Sequence, residues 1–476
     1  MRFPGLLLAA AVGAGILAGC ATHRPPTRTE IRRQSGTLTN LVLTDAWKAA
    51  VVSTNAIQDN WLATFGDDQL AALVAEAMTN SPDLRVAATR VEQAWQCVRL
   101  ANAALRPTVS LFGTGGFNMG GGDVSSALQG VSLGASWEPD LWGRMRYGRN
   151  AAQATHASMQ ADYEFSRQSL AATIAKSWFT ASETWLQLQI AEDMVQAAQQ
   201  LVTLAATRHR VGPGSEQEAA LARATLAANQ DTARQVRFAH EQTLRALELL
   251  LGRYPAAELQ ARRDLPSLPG PIPAGLPLEM LERRPDLIAA ERRVAAAFHR
   301  VGEAKAAQLP RLVLNANVAA IDSAILQLKE DFENPTGGAG ARLMAPLYQG
   351  GALKMQVEIR TLEQRQAVAE YARIALRALG DVENTLAAAR TLGERRPFLD
   401  QALAENQRAL DLAQTRHRVG QADSRSVQQQ QLSLDAARLA LLRVQSEQLA
   451  QRVDLHLSLG GSFAAPATPP PGAGMK

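Results

Sequence analysis

The sequence predicts a mostly α-helical chain carrying four β-strands, laid out as an internal two-fold repeat. Three observations predict it. The hexapeptide TRHRVG stands at 207–212 and again at 415–420. SPDLRVAATRVEQA at 81–94 aligns with RPDLIAAERRVAAA at 284–297, identical at seven of fourteen positions. Each repeat also holds a 67-residue stretch, 144–210 and 352–418, in which the only proline is Pro397. Apolar residues make up 46% of the 476 and aromatics only 5%, a mixture that suits long, closely packed helices. The net charge of +4 comes almost wholly from arginines interspersed with acids. That is the pattern of a solvated helix surface rather than a nucleic-acid patch, so no nucleic-acid partner is expected.

Residues 1–19 read as a secretory signal, with Arg2 ahead of an apolar run too short to span a membrane. The ending Leu17-Ala18-Gly19-Cys20 resembles the lipobox of bacterial lipoproteins, which makes Cys20 the expected site of lipid attachment. The alternative is a plain signal peptide with an incidental cysteine. By the same sorting pattern, Ala21 points to the outer membrane. With Cys20 acylated, Cys97 has no disulfide partner, and its apolar helical surroundings predict a small buried hydrophobe. Residues 20–79 form the lipid-anchored N-terminal segment.

The first repeat, 80–252, and the second, 285–461, follow one order of elements around a Pro-rich linker at 253–284, and a tail at 462–476 closes the chain. Each repeat opens with a helix of about 24 residues. Ser81-Pro82-Asp83 supplies a cap, a first-turn proline and a first-turn acid, and Pro285 and Asp286 repeat the last two. Alternating stretches follow, one hairpin at 107–138 and one at 310–347. VSLGASW at 131–137 is the clearest: Val131, Leu133, Ala135 and Trp137 share one face. The glycine runs at 113–122 and 337–340 are expected in the hairpin loops. The long segments then predict helices of roughly 100 Å, with a kink or break at Pro397 in the second.

Each TRHRVG ends a long helix. Gly212 and Gly420 can take the left-handed conformation, and the basic last turn suits the negative helix end. Ser215-x-x-Glu218 then offers a capping box and Asp423 a cap for the next helix. The tips are therefore expected at 207–215 and 415–423. On the last helix Leu434, Leu441, Leu442, Leu449 and Val453 mark an apolar stripe.

Four strands with an apolar face cannot close a membrane barrel alone, because an open edge in lipid leaves backbone groups unpaired. Three copies would pool twelve strands. The alternative is a small soluble sheet.

GLPLEMLERRPDLIAAERRVAAA at 275–297, WEPDLWGRMR at 137–146, PLYQGGALK at 346–354 and LSLGGSF at 457–463 resemble the signature runs of the TolC-type outer-membrane efflux channels, in the lipidated OprM/NodT-like branch. The resemblance covers the mature chain in the family's order. It implies a homotrimer with a twelve-strand outer-membrane barrel, a long periplasmic α-helical barrel and an equatorial region. It also implies a passive conduit for small molecules such as drugs, joined to a periplasmic adaptor (a membrane fusion protein) and an inner-membrane pump of the RND type. Arg208, Val211, Gly212, Arg416, Val419 and Gly420 fall at the implied docking tips. Glu218, His417, Asp423, Arg425 and Gln429 fall at implied gate positions. Glu218 and His417 occupy the places of a tip carboxylate and its aromatic partner, so a pH-sensitive latch between them is expected. The chain departs from the family where aspartates are common: Gln429 and Ser426 stand there, with Arg425 in place of a hydrophobe.

No catalytic constellation, metal-ligand spacing or cofactor loop occurs, so neither enzyme activity, cofactor nor metal is expected. Two other readings remain. One is a type I protein-secretion conduit. The other is a lipid-anchored periplasmic coiled-coil scaffold, which would not need the strands.

Overall fold

A computed structural model describes residues 23–36, 47–49, 59–114, 129–212, 214–270, 272, 280, 282–322 and 336–464. The signal segment, Cys20, both hairpin loops, most of the GLPLEMLER run and the tail beyond Ala464 lie outside the described residues.

The chain forms two compact units, and neither is one repeat: each draws segments from both repeats. The first unit comprises Met1–Leu41, Thr89–Ala161 and Ile288–Ile374; the second comprises Val42–Ala88, Asp162–Leu287 and Ala375–Lys476. The long helices run through both, so sequence repeat and packing unit do not coincide.

The element order shows the duplication. After α1 (Arg28–Gln34), a 3-10 turn (Trp61–Phe65) and α2 (Asp68–Asn80), the first repeat runs α3 (Pro82–Ala103), β1 (Thr108–Thr114), β2 (Gln129–Trp137), α4 (Arg144–Val211) and α5 (Glu216–Leu250). The second runs α6 (Pro285–Ala306), β3 (Arg311–Asp322), β4 (Thr336–Met344), α7 (Ala352–Arg418) and α8 (Ser424–Leu459). The paired helices have 22 and 22, 68 and 67, and 35 and 36 residues. The opening helices stop at Ala103 and Ala306 and pass into turns, slightly short of the expected 24 residues.

In the first unit the strands form one antiparallel sheet in the order β1-β2-β3-β4. Leu111 pairs with Leu133 and Leu133 with Val318, while Val109 pairs with Ala135 and Leu312 with Leu343. With a side-chain period of two, this register gathers most of the apolar residues on one face, with Phe112, Val313 and Met344 as exceptions on the other. Ser110, Ser132, Asn315, Asn317 and Arg342 fall on the other. Strand β4 begins earlier than expected and ends at Met344. Gly337, Gly338 and Gly340 are therefore strand residues paired with β3, not loop. Alternation was masked there because glycine has no side chain to alternate. Indole N–H groups tie strand ends to neighbouring backbone: Trp137 donates to Leu105 O (3.1 Å) and Trp142 to Pro310 O (2.6 Å). Asp140 caps α4 through Met145 N (3.1 Å) and Arg146 N (2.9 Å). Cys97 is exposed among the described residues, contrary to the expected burial, although its neighbours Ala94 and Val98 are buried.

The second unit holds the main core. Trp61, Phe65, Leu70, Leu73, Trp178, Phe179, Leu247, Leu449 and Val453 pack together with Phe463. Asp67 is the buried polar hinge of this core. It caps α2 at Leu70 N (3.0 Å), accepts from the Trp178 indole (3.0 Å) and pairs with Arg262 (3.4 Å). Buried Glu248 accepts the backbone N–H groups of Ala257, Glu258 and Leu259 at 2.7, 2.8 and 3.0 Å, which pins the start of the linker. At its other end Arg283 reaches Asp59 (2.7 Å), and Arg284 holds Asp286 (2.7 Å) and Ser458 O (3.2 Å). The Arg-Arg-Pro-Asp run is thus a clamp. His456 stacks on Trp61 with centroids 5.8 Å apart, and burial lowers its pKa to about 3. The expected stripe on α8 is buried throughout.

Helix α7 continues through Pro397 without the expected break. The residue four back, whose carbonyl the ring crowds, is Gly393, which has no side chain to add to that crowding.

Candidate functional site

The two helix reversals, α4 to α5 and α7 to α8, superpose in chemistry at an offset of 208 residues. At the first, Gly212 has φ 105° and donates to Arg208 O (3.1 Å). At the second, Gly420 has φ 77° and donates to His417 O (3.1 Å). Both glycines therefore stop their helices in the left-handed region, as the repeat predicts. The next helix is then capped: Ser215 Oγ accepts from Glu218 N (3.1 Å) and Asp423 Oδ1 from Ser426 N (2.9 Å). The capping box expected at Ser215 is only half made, since the Glu218 carboxylate does not return the bond.

The histidine of each hexapeptide has a structural role that sequence reasoning missed. His209 Nδ1 donates to Gly214 O (3.2 Å), and His417 Nδ1 donates to Ala422 O (2.9 Å). A carbonyl only accepts, so each Nδ1 carries the proton. The histidine at the same place in both copies of TRHRVG was the available signal. His209 Nε2 also lies 3.3 Å from Glu216, which is bound by Arg223 at 2.8 Å; Arg223 holds the Glu216 carboxyl below its usual range. A Cβ on Gly214 would sit 2.7 Å from His209 N, so the first turn is too tight for another residue.

The expected docking residues lie together at these ends. Val211 is 71% and Val419 63% exposed, each beside its glycine, with Arg208 half-buried and Arg416 exposed. Of the gate candidates, Asp423, Arg425 and Gln429 are exposed, and Glu218 and His417 are half-buried. No hydrogen bond or ion pair joins Glu218 to His417 within the chain, and the His417 ring is committed to Ala422 O.

The second functional surface is the sheet. Leu111 is 70%, Leu133 50% and Val318 53% exposed, all on the apolar face. The outer edges of β1 and β4 have no strand partner among the described residues. Among these residues no helix is long and apolar enough to cross a membrane.

The family described as outer membrane efflux protein matches residues 73–253 and 276–461. The pyoverdine export outer membrane protein OpmQ of Pseudomonas putida is 30% identical over 465 residues, covering 94% of this chain and 96% of its own. The cation efflux system protein CusC of Escherichia coli is 27% identical over 410 residues, covering 85% and 88%. Among solved structures, the outer-membrane channel OprN aligns with a TM-score of 0.79 at 24% identity, over 89% of this chain and 98% of its own. The Campylobacter jejuni CmeC channel aligns at 0.82 and 21%, over 89% and 93%. The match spans both repeats, both reversals and all four strands, and the chain belongs to the outer membrane efflux protein family.

Proposed function

We infer that three copies of this chain close their sheets into one twelve-strand barrel and form a passive conduit for small molecules. The chain's place as the outer-membrane channel component of a tripartite efflux system follows from its family. The observation that carries the rest is the sheet. A soluble sheet turns its apolar face inward; here that face is open, and the serines, asparagines and Arg342 lie opposite. Lipid outside and water inside satisfy both faces, and pairing β4 of one copy with β1 of the next satisfies both edges.

In this reading the reversals form the periplasmic mouth. Val211 and Val419 offer apolar contacts to a periplasmic adaptor, and an inner-membrane pump of the RND type supplies the energy. Acylated Cys20 adds an anchor in the outer membrane. The latch between Glu218 and His417 narrows to a contact between neighbouring copies, since one chain does not make it. The chain itself is assigned no chemical step. Light scattering of the purified protein in detergent tests the assembly: a protein mass of three chains supports it, and a monomer that stays soluble without detergent overturns it.

A further inference from the structure

We propose that the mouth formed by these reversals selects for anions, so that the solutes leaving through it are negatively charged small molecules. The inference rests on the conduit reading and adds its charge preference.

The internal repeat supplies the comparison. At the offset of 208, Glu216, Gln217 and Glu218 of the first reversal correspond to Ser424, Arg425 and Ser426 of the second. Two carboxylates have become hydroxyls, a neutral amide a guanidinium and the capping hydroxyl of Ser215 the carboxylate of Asp423, while the turn glycine, the histidine-to-carbonyl bond and the capping bond are kept. The geometry is conserved between the copies and the charge is changed.

The rest of α8 does not restore the acids. Residues 428–431 are four glutamines, and the next carboxylate, Asp435, is 1% exposed. Burial raises its pKa, the Gln431 amide is hydrogen-bonded to it, and Arg438 lies beside it. At the exposed start of α8 Arg425 is therefore accompanied by one carboxylate, Asp423, where the first reversal carries two, Glu216 and Glu218. Arg425 is exposed in the first turn, where the helix end is itself positive. A cation there is electrostatically unfavourable for the helix, so Arg425 contributes nothing to the helix end.

The remaining charges point the same way. The side chains of Arg208, Arg210, Arg416, Arg418 and Arg425 have no hydrogen bond or ion pair among the described residues. Of the carboxylates at the reversals, Glu216 is paired with Arg223, whereas Asp423, which accepts only its cap N–H, and Glu218 keep their charge and are outnumbered by the five arginines. Three copies set six reversals around one opening, and rings of one charge sign select the opposite ion.

The test is the reversal potential of the full-length protein in planar bilayers under a potassium chloride gradient. Wild type is expected to pass chloride over potassium by about twofold or more. Arg425→Gln should bring the ratio toward unity, and Arg425→Asp should invert it. An aspartate in a first helical turn is favourable, so this variant should fold. Potassium preference in wild type overturns the inference. So does a selectivity that Arg425→Asp leaves unchanged, which would assign the arginines to an acidic surface of the adaptor instead. Absence of any conductance overturns the conduit reading itself.

Discussion

Leu133→Arg should cost the assembled protein about 2–4 kcal/mol per chain, the range for a cation carried to mid-depth on the lipid face of a barrel. Leu133 is central in the sheet, between Leu111 on β1 and Val318 on β3. Its neighbour Ser132 points to the opposite face and provides the control: Ser132→Arg should lie within about 0.5 kcal/mol of wild type if that face meets water. The comparison separates two environments for one exposed leucine. In water, an arginine replacing a side chain that is 50% exposed is close to neutral; in lipid it is not. The assay is refolding into lipid vesicles across a urea series, with the folded fraction read by protease protection. At the lower bound of the range the folding equilibrium falls about thirtyfold. A Leu133→Arg protein that folds and inserts like wild type would refute the barrel argument, most directly if Ser132→Arg were the damaging change.

The other predictions concern the periplasmic parts. His456 is buried, and its pKa falls from 6.5 in the open chain to about 3 in the fold. The folded state therefore resists protonation, and stability should be flat above about pH 7 and decline as pH falls from 6.5 toward 3. By pH 5 the loss should be about 2 kcal/mol, and His456→Phe should remove that share from a denaturation series. Glu248→Ala leaves three backbone N–H groups without their acceptor, an expected cost of about 2–4 kcal/mol in chemical denaturation, and Glu248→Gln should cost less. Gly214→Ala forces its Cβ against His209 N and should cost about 1–3 kcal/mol. Gly420→Ala has open space and meets only left-handed strain, about 1 kcal/mol. Hydrogen exchange at the two reversals should show that order, and equal protection in both variants would contradict the tight first turn.

Local rules were enough for much of this protein. The repeat, the lengths of the paired helices, the helix stops at Gly212 and Gly420 and the caps at Ser215 and Asp423 were legible because each depends on residues a few positions apart. So was the two-faced pattern of β2, because its period is carried by its own side chains. Tertiary structure decided what depends on distant partners. Strand β4 was misplaced in part because Gly337, Gly338 and Gly340 carry no alternation, and only their pairing with β3 makes them strand. Pro397 was expected to kink or break a helix that runs on through it, so no break occurs there. Cys97 was expected to be buried from a local apolar pattern, but burial is a property of what lies opposite, and nothing among the described residues covers it. The role of Glu248 was invisible because its three partners lie nine to eleven residues on, in a segment with no periodicity to announce them. Neutral His456 was equally hidden: its ring meets Trp61 from the far end of the chain, and only packing brings the two into one dry place.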